Sequence, residues 1–411
     1  MSEFFANKEK SLIIVLGGGI QQTRCIKRCK KLGFLVCCFD INENCEGKKA
    51  ADWFFKLSIK NYNDIMLKVS EFENVVAILA PATEIGNLTA CLIANKLGLP
   101  YNCEEVVKTT SNKLLMREKL DSLNLDNPEY FSIKLQNKSK LPFYIKENAL
   151  SFPCIVKPAD SSAGRGITIC KKTYDINGAV SYALEESQEG LVIVESVIEG
   201  KQYSLETLSF NGDHKLIAIA AQTMDSKEKH VEVGHILPAP ISKKEFSVFE
   251  RYALDLLDGF GIQFGACHIE VRVVDNKIYA LDFASRMGGW RDLMIESIYG
   301  EGYIDDYIKS HLLEKENNVR PEGSLDCLSD SKFCVARMAF NIDDLNLLND
   351  LESEGKCEFD WVDRELLGIK NDDLKGSLSN SAGHFLYKSN LMKENSIVAK
   401  YGCVDLTKEF Y

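Results

Sequence analysis

Residues 266–284 read ACHIEVRVVDNKIYALDFA, and this stretch decides how the middle of the chain folds. Two apolar-rich runs flank a polar tip, the pattern of a β-hairpin. In the first run Ala266, His268, Glu270 and Arg272 share one strand face, and Cys267, Ile269, Val271 and Val273 share the other. In the return run Ala280, Asp282 and Ala284 alternate with Tyr279, Leu281 and Phe283. A two-residue loop, Asp275–Asn276, pairs Glu270 with Leu281 and turns Asp282 to the opposite face. A three-residue loop, Asp275–Lys277, pairs Glu270 with Asp282, with Cβ atoms about 4.5–5.5 Å apart. Two carboxylates that close repel unless a cation sits between them. Oxygen donors on a rigid frame suit Mg²⁺, which takes one or two carboxylates and completes its shell with water and phosphate oxygens. The alternative is an ordinary solvated sheet face.

Outward from the hairpin, Ser285-Arg286-Met287-Gly288-Gly289-Trp290-Arg291 follows at once. An Arg one step beyond such a strand can aim a fork of N–H donors at a phosphoryl group or carboxylate, and paired glycines let the backbone approach the same ligand. Upstream, Cys154-Ile155-Val156-Lys157-Pro158 leads into Ala159-Asp160-Ser161-Ser162-Ala163-Gly164-Arg165-Gly166. A Lys at a strand end feeds a small-residue loop that can cover phosphates with backbone N–H groups. It is not a Walker loop, because here the Lys precedes the loop and a strand follows it. Lys113 stands in Thr110-Ser111-Asn112-Lys113, early in an amphipathic helix read over Val106–Leu123.

Strands between 151 and 284 come in adjacent pairs: Pro153–Lys157 with Ile167–Cys170, and Tyr203–Phe210 with Lys215–Gln222. That order means antiparallel sheets. The first hundred residues instead alternate strand and helix, with strands at Leu12–Leu16, Phe34–Phe39 and Val75–Leu79 and helices at Gln21–Leu32 and Leu88–Leu97. Such alternation makes a parallel, Rossmann-like sheet. Its first turn, Gly17-Gly18-Gly19-Ile20-Gln21-Gln22, lacks the third glycine of a dinucleotide fingerprint, so Asp40 is not read as a ribose ligand. Asn124–Leu150 reads as a polar connector. Beyond Pro321 lies a third region with weaker strands (Phe333–Phe340, His384–Lys388, Ser396–Lys400) and an acidic helix around Asp343–Glu354.

The chain has 411 residues, 49 Lys and Arg against 60 Asp and Glu, a net charge of −11, and 45% hydrophobic residues. These proportions are globular, and the acidic balance argues against a nucleic-acid partner. No apolar run reaches the roughly 18 residues of a membrane span, and the polar start does not resemble a signal peptide. The 14 cysteines form no C-x-x-C pair, and Cys154, Cys170, Cys267 and Cys334 sit singly in apolar segments, as reduced thiols of a cytoplasmic protein would.

Taken in order, these motifs resemble those of the ATP-grasp ligases over roughly residues 12–320, and more narrowly the L-amino-acid or carboxylate–amine ligase type. The resemblance implies a Rossmann-like N-terminal (pre-ATP-grasp) domain over 1–105. An ATP-grasp domain of mixed α/β and α+β character, with antiparallel sheets, then covers 106–320. Within it a connector helix precedes a small subdomain with the glycine-rich flap (about 151–200) and a metal-binding sheet (about 201–320). Residues 321–411 either complete that domain or form a small cap.

The same resemblance implies ATP contacts from Lys113, Lys157, the flap residues Ser161, Ser162, Gly164 and Gly166, the linker residues Glu195 and Val197, and Gln202 where a ribose-binding Glu is usual. It assigns Glu270 and Asp282 to Mg²⁺, with Mn²⁺ as a substitute. Asp282 stands where the family usually has Glu. Ala284 replaces a usual Asn ligand, which weakens the case for a second ion. Arg286 and Lys157 carry the catalytic charge. Glu206, His235 (in Gly234-His235-Ile236-Leu237-Pro238), His268, Arg286, Gly288, Gly289 and Arg291 form the substrate set.

The implied reaction phosphorylates a carboxylate with ATP and lets an amine attack the acyl phosphate. The partners are small acids and amines, amino acids among them, and homodimerisation is a further expectation. Rival readings are a bicarbonate-activating carboxylase or carbamoyl-phosphate-type enzyme, and a nucleotide-binding module without turnover.

Overall fold

In the computed structural model, residues 11–147, 151–161, 164–224, 232–312, 333–369 and 381–389 are described. The first four strands are β1 (Leu12–Leu16), β2 (Leu35–Asp40), β3 (Trp53–Lys56) and β4 (Val75–Leu79). They form a parallel sheet of order β3-β2-β1-β4. β3 is absent from the sequence reading because Trp53–Lys56 is short and mostly uncovered. Asp40 Oδ2 accepts the N–H of Gly18 at 2.7 Å, so this carboxylate closes the glycine turn itself.

Four strands, β5 (Tyr130–Lys134), β6 (Cys154–Pro158), β7 (Thr168–Cys170) and β8 (Leu191–Ser196), make a small antiparallel sheet of order β5-β8-β6-β7. Here the polar-connector reading of Asn124–Leu150 fails. β5 pairs with the buried β8, and a 3-10 turn (Leu135–Lys140) and a helix (Leu141–Glu147) follow. Cys154 and Cys170 are cross-strand partners rather than isolated thiols.

The remaining strands are β9 (Lys201–Phe210), β10 (Asp213–Met224), β11 (Glu232–Leu237), β12 (Phe264–Val274), β13 (Lys277–Ala284), β14 (Phe333–Met338), β15 (Cys357–Val362) and β16 (Gly383–Ser389). They build one eight-stranded sheet of order β13-β12-β9-β10-β11-β14-β16-β15. β15 escaped the sequence reading because its even-spaced Glu358 and Asp360 leave it half exposed. Ser396–Lys400 lies outside the described residues.

One face of this sheet carries Leu208, Ala220, Ala266, Leu237, Ala336 and Leu386 in a single core that also takes in Ile26 and Cys29 of the Ile20–Lys31 helix and Tyr303 and Ile304 of the Tyr303–Ser310 helix. The opposite face buries Leu205, Ile269, Val271 and Phe283 against the Lys113–Ser122 and Lys243–Phe260 helices. The two halves are also tied by charge. Arg24 donates to Asp292 at 2.6 Å and to Glu296 at 2.8 Å, and Arg28 to Asp305 at 2.7 Å.

The single helix expected over Val106–Leu123 is two, Glu104–Ser111 and Lys113–Ser122. Asn112 is extended (φ −121°, ψ 117°), and its side chain accepts from Leu114 N at 3.0 Å and Leu115 N at 3.3 Å. An Asn that caps the second helix cannot also continue the first. The break places Lys113 at the first helical position, facing the hairpin.

Candidate active site

The hairpin register follows neither loop reading as first drawn. The turn is the two-residue Asp275–Asn276, both with positive φ (48° and 63°), and Val274 pairs with Lys277. Val271 opposes Ala280, yet Glu270 opposes Asp282, so Leu281 is an extra residue in a β-bulge. The bulge resets the alternation. Ile278, Ala280 and Phe283 all enter the same core, and Asp282 turns to the face of Glu270. Without it, a two-residue turn sends Asp282 to the wrong side.

Lys113 brings the elements together. Its backbone N–H bonds Ala159 O at 2.8 Å, its Nζ donates to Ser161 O at 2.9 Å, and the same Nζ lies 3.4 Å from Asp282 Oδ1. The helix start, the loop after β6 and β13 therefore meet at one ammonium. Gly164 and Gly166 turn the flap with φ of 73° each, and Ser162 lies outside the described residues. Lys157 sits one layer deeper, 2.8 Å from Glu195. Glu195 also receives Arg117 Nε at 2.7 Å and Nη2 at 3.2 Å, while Arg117 Nη1 reaches Ala280 O.

Burial opposes ionisation of Glu195, but the charges of Arg117 and Lys157 outweigh it and hold the carboxyl at about 2. Burial moves Lys157 the other way, below its ordinary value, with Glu195 only partly offsetting it. We take the ion pair as charged, since two cations share one carboxylate. The Glu195 side chain is thus occupied and leaves only its backbone for a ligand. The Val197 N–H spans 3.3 Å to Pro153 O. Arg117, buried with no exposed surface, was missed by sequence reasoning, because the Glu195 that gives it a role lies far along the chain.

On the sheet face, Gln202 donates to Glu270 Oε2 at 3.5 Å and accepts from Arg272 Nε at 3.0 Å. His268 bridges two acids, with Nδ1 2.7 Å from Glu206 Oε1 and Nε2 3.4 Å from Glu270 Oε1. Burial alone would lower the imidazole's pKa, yet Glu206 raises it to about 9. The resulting charge holds Glu270, against its own burial, at about 2.

Arg291 is buried and committed inward. Its Nε donates to Ser204 Oγ at 3.1 Å and Glu206 Oε1 at 2.9 Å, and its Nη2 lies 2.9 Å from His235 Nδ1. It ties Ser204, Glu206 and His235 together. His235 contacts Glu232, whose carboxyl is pushed to about 8 by burial and by the nearby Glu270. Gly288 is packed into the same cluster, where an added Cβ would fall 2.7 Å from His268 Nδ1 and 2.8 Å from Glu206 Oε2. Gly289 has more room, its nearest neighbour being Gln21 Nε2 at 3.6 Å.

Arg286 Nε meets Glu84 Oε2 at 2.9 Å and its Nη1 meets Met287 O at 3.0 Å. Glu84 opens the Glu84–Leu97 helix, capped by Thr83, and was not anticipated. Glu84 Oε1 is buried without a hydrogen-bond partner among the described residues.

Among the described residues no three His, Cys, Asp or Glu side chains group as a complete protein cage for a metal. Two opposed carboxylates beside Lys113 instead fit an ion that draws most of its shell from water and phosphate oxygens, the habit of Mg²⁺. No helix is long and apolar enough to cross a membrane among the described residues.

Residues 150–293 match the ATP-grasp domain family. A D-alanine–D-alanine ligase of Pseudothermotoga lettingae is 25% identical over 288 residues, 66% of this chain and 87% of that protein. A formate-dependent phosphoribosylglycinamide formyltransferase of Wolinella succinogenes is 22% identical over 69% of this chain and 72% of its own. Among solved structures, an L-amino acid ligase from Bacillus licheniformis superposes with a TM-score of 0.76 at 15% identity, covering 95% of this chain and 96% of that one. An N5-carboxyaminoimidazole synthetase from Staphylococcus aureus, complexed with ADP, gives 0.71 at 17% identity over 95% and 97%.

Proposed function

The chain carries an ATP-grasp domain and is an enzyme of the C–N-bond-forming ligase type, and from that premise we propose that it joins a small carboxylic acid to an amine, with an amino acid as one substrate. The acid's carboxylate oxygen attacks the γ-phosphorus of ATP, the bond to the β-phosphate oxygen breaks, and ADP leaves. The amine then attacks the acyl carbon of the acyl phosphate, the C–O bond breaks, and phosphate departs as the nitrogen loses a proton.

The observation that carries this reading is the meeting of Lys113, the Ser161 flap backbone and Asp282 at one ammonium, with Glu270 opposite Asp282. Phosphoryl transfer asks chiefly for positioning and for cancelled charge, and no nucleophilic side chain is needed. Glu270 and Asp282 would hold Mg²⁺, or Mn²⁺ in its place, which when bound neutralises triphosphate charge. Lys113 and Lys157 add positive charge beneath the flap, and Arg286, aligned by Glu84, holds the transferred phosphoryl or acyl group. His235, His268 and Glu206, braced by Arg291, line the substrate side.

ADP release measured with ATP and Mg²⁺ across a panel of amino acids, alone and in pairs, tests this reading. Release that requires particular amino acids supports the ligase. Dependence on bicarbonate alone transfers the protein to the carboxylase class, and nucleotide binding without release on any panel member leaves only a binding module.

A further inference from the structure

The third region contributes an aromatic group that the phosphate chemistry does not use. His384 on β16 is buried, at 2% exposure, and stacks on Trp290 with ring centroids 3.6 Å apart and planes at 23°. Trp361 and Phe359 of β15 approach the same imidazole at 5.7 Å each, at 62° and 31°. The sheet register aims this group. His384 pairs with Met338 and with Trp361, and these positions share the parity of the Ala336–Leu386 and His235–Ala336 pairs. His384 and Trp361 therefore stand on the sheet face that carries His235, and Trp290 directly precedes Arg291.

Three features set this group apart. His384 Nε2 is buried without a hydrogen-bond partner among the described residues, an arrangement that costs about 1–3 kcal/mol. Trp361 is 53% exposed on the flank of the stack, so its indole surface is open to a ligand. Trp290 itself is held at φ 49°, a conformation unusual for a bulky residue and more typical of ligand sites than of plain turns.

We propose that Trp290, His384 and Trp361 form the wall that reads the side chain of the amino-acid substrate, and that this wall selects a flat apolar side chain over a small or charged one. A planar side chain gains stacking and dispersion along the two indoles. A small one leaves them wet. A cationic or an anionic one loses its hydration against indole and phenyl surface, with no opposite charge in the wall to replace it. Burial holds His384 neutral, with its pKa pushed down to about 4, so the imidazole adds no charge to the wall. This inference rests on the amino-acid ligase reading and names the substrate class within it.

The protein has three tryptophans, and Trp53 lies away from this group, on β3 of the parallel sheet. In a Trp53→Phe background, indole fluorescence then comes from Trp290 and Trp361 alone. Titration with phenylalanine of either hand, alanine, lysine and glutamate, in the presence of ADP and Mg²⁺, reads binding without turnover. Phenylalanine is expected to give a saturable change at a concentration at least tenfold below the others. His384→Ala should erase that preference at least tenfold, His384→Phe should retain most of it by keeping the stack, and Trp361→Ala, at an exposed position, should weaken it without unfolding.

Equal responses to all four ligands, or a preference unmoved by both His384→Ala and Trp361→Ala, would overturn the proposal. Phenylalanine binding as expected without ADP release from any amino acid would sink the ligase reading and leave the wall standing. ADP release with small amino acids and no indole response would do the reverse.

Discussion

Arg117 grips Glu195 through both carboxylate oxygens, at 2.7 and 3.2 Å, inside a core that water does not reach. The pair joins the Lys113–Ser122 helix to β8 and, through Ala280 O, to β13. Removing Arg117 leaves Lys157 to neutralise Glu195 but takes away both guanidinium bonds and the bond to Ala280 O, a cost toward the low end of the about 3–5 kcal/mol of a broken buried pair. Arg117→Ala is therefore expected to lower the unfolding free energy obtained from denaturant melts by that order. A loss under about 1 kcal/mol would show that the pair is solvated.

The same pair sets an acid limb of stability. Glu195 titrates at about 2 in the folded protein against an ordinary 4.5, so its contribution is complete above about pH 4.5 and fades as pH falls toward 2. Wild type should lose stability over that window more steeply than Glu195→Gln, which has no carboxyl to titrate there. Parallel curves in urea melts from pH 5 to 2.5 would refute the assignment. Part of the gain is offset by Lys157, whose burial disfavours its charged form.

Glu270→Gln keeps the shape of the side chain and removes the charge opposite Asp282. Turnover is expected to drop a hundredfold or more, the scale of losing a preorganised electrostatic group, with the thermal midpoint little changed. Near-normal ADP release from this variant would remove the metal assignment.

Lys157→Ala should weaken nucleotide binding by about tenfold or more, since an ammonium near phosphate in a dry site is worth more than a surface charge. Calorimetric titration with ADP and Mg²⁺ checks this, and an unchanged affinity would mean that Lys157 serves only Glu195.

Gly288→Ala places a methyl 2.7 Å from both His268 Nδ1 and Arg291 Cγ. The neighbours are a buried charged network with nowhere to move, so overpacking of about 1–3 kcal/mol is expected, together with a rise in substrate KM. Gly289→Ala, with its nearest neighbour at 3.6 Å, serves as the silent control for stability.

Much of this was legible in the sequence, and the exceptions share a physical cause. Strand parity put His268 and Glu270 on one face from local pattern alone, and the run from Lys157 to Gly166 announced a strand feeding a loop. The Glu270–Asp282 pair could not be settled that way, because loop length and bulge enter the register with equal weight and Leu281 looks like any strand residue. Arg117, Glu84 and His384 were invisible for a different reason. Each acquires its role from a partner 78, 202 or 94 positions away, at Glu195, Arg286 and Trp290, and nothing beside them in the chain signals it. Arg291 shows the converse: a conspicuous arginine after two glycines turned out to be spent on its own neighbours.

The order of the large sheet has a practical outcome for anyone cutting the gene. β11, which carries His235, is flanked by β10 on one side and by β14, from far along the chain, on the other. A fragment ending near residue 320 would keep Lys113, Lys157 and both opposed acids, yet leave a long bare strand rim with its amides unpaired. Such rims recruit copies of themselves. The shortened polypeptide is expected to accumulate as insoluble aggregate rather than as a smaller working enzyme.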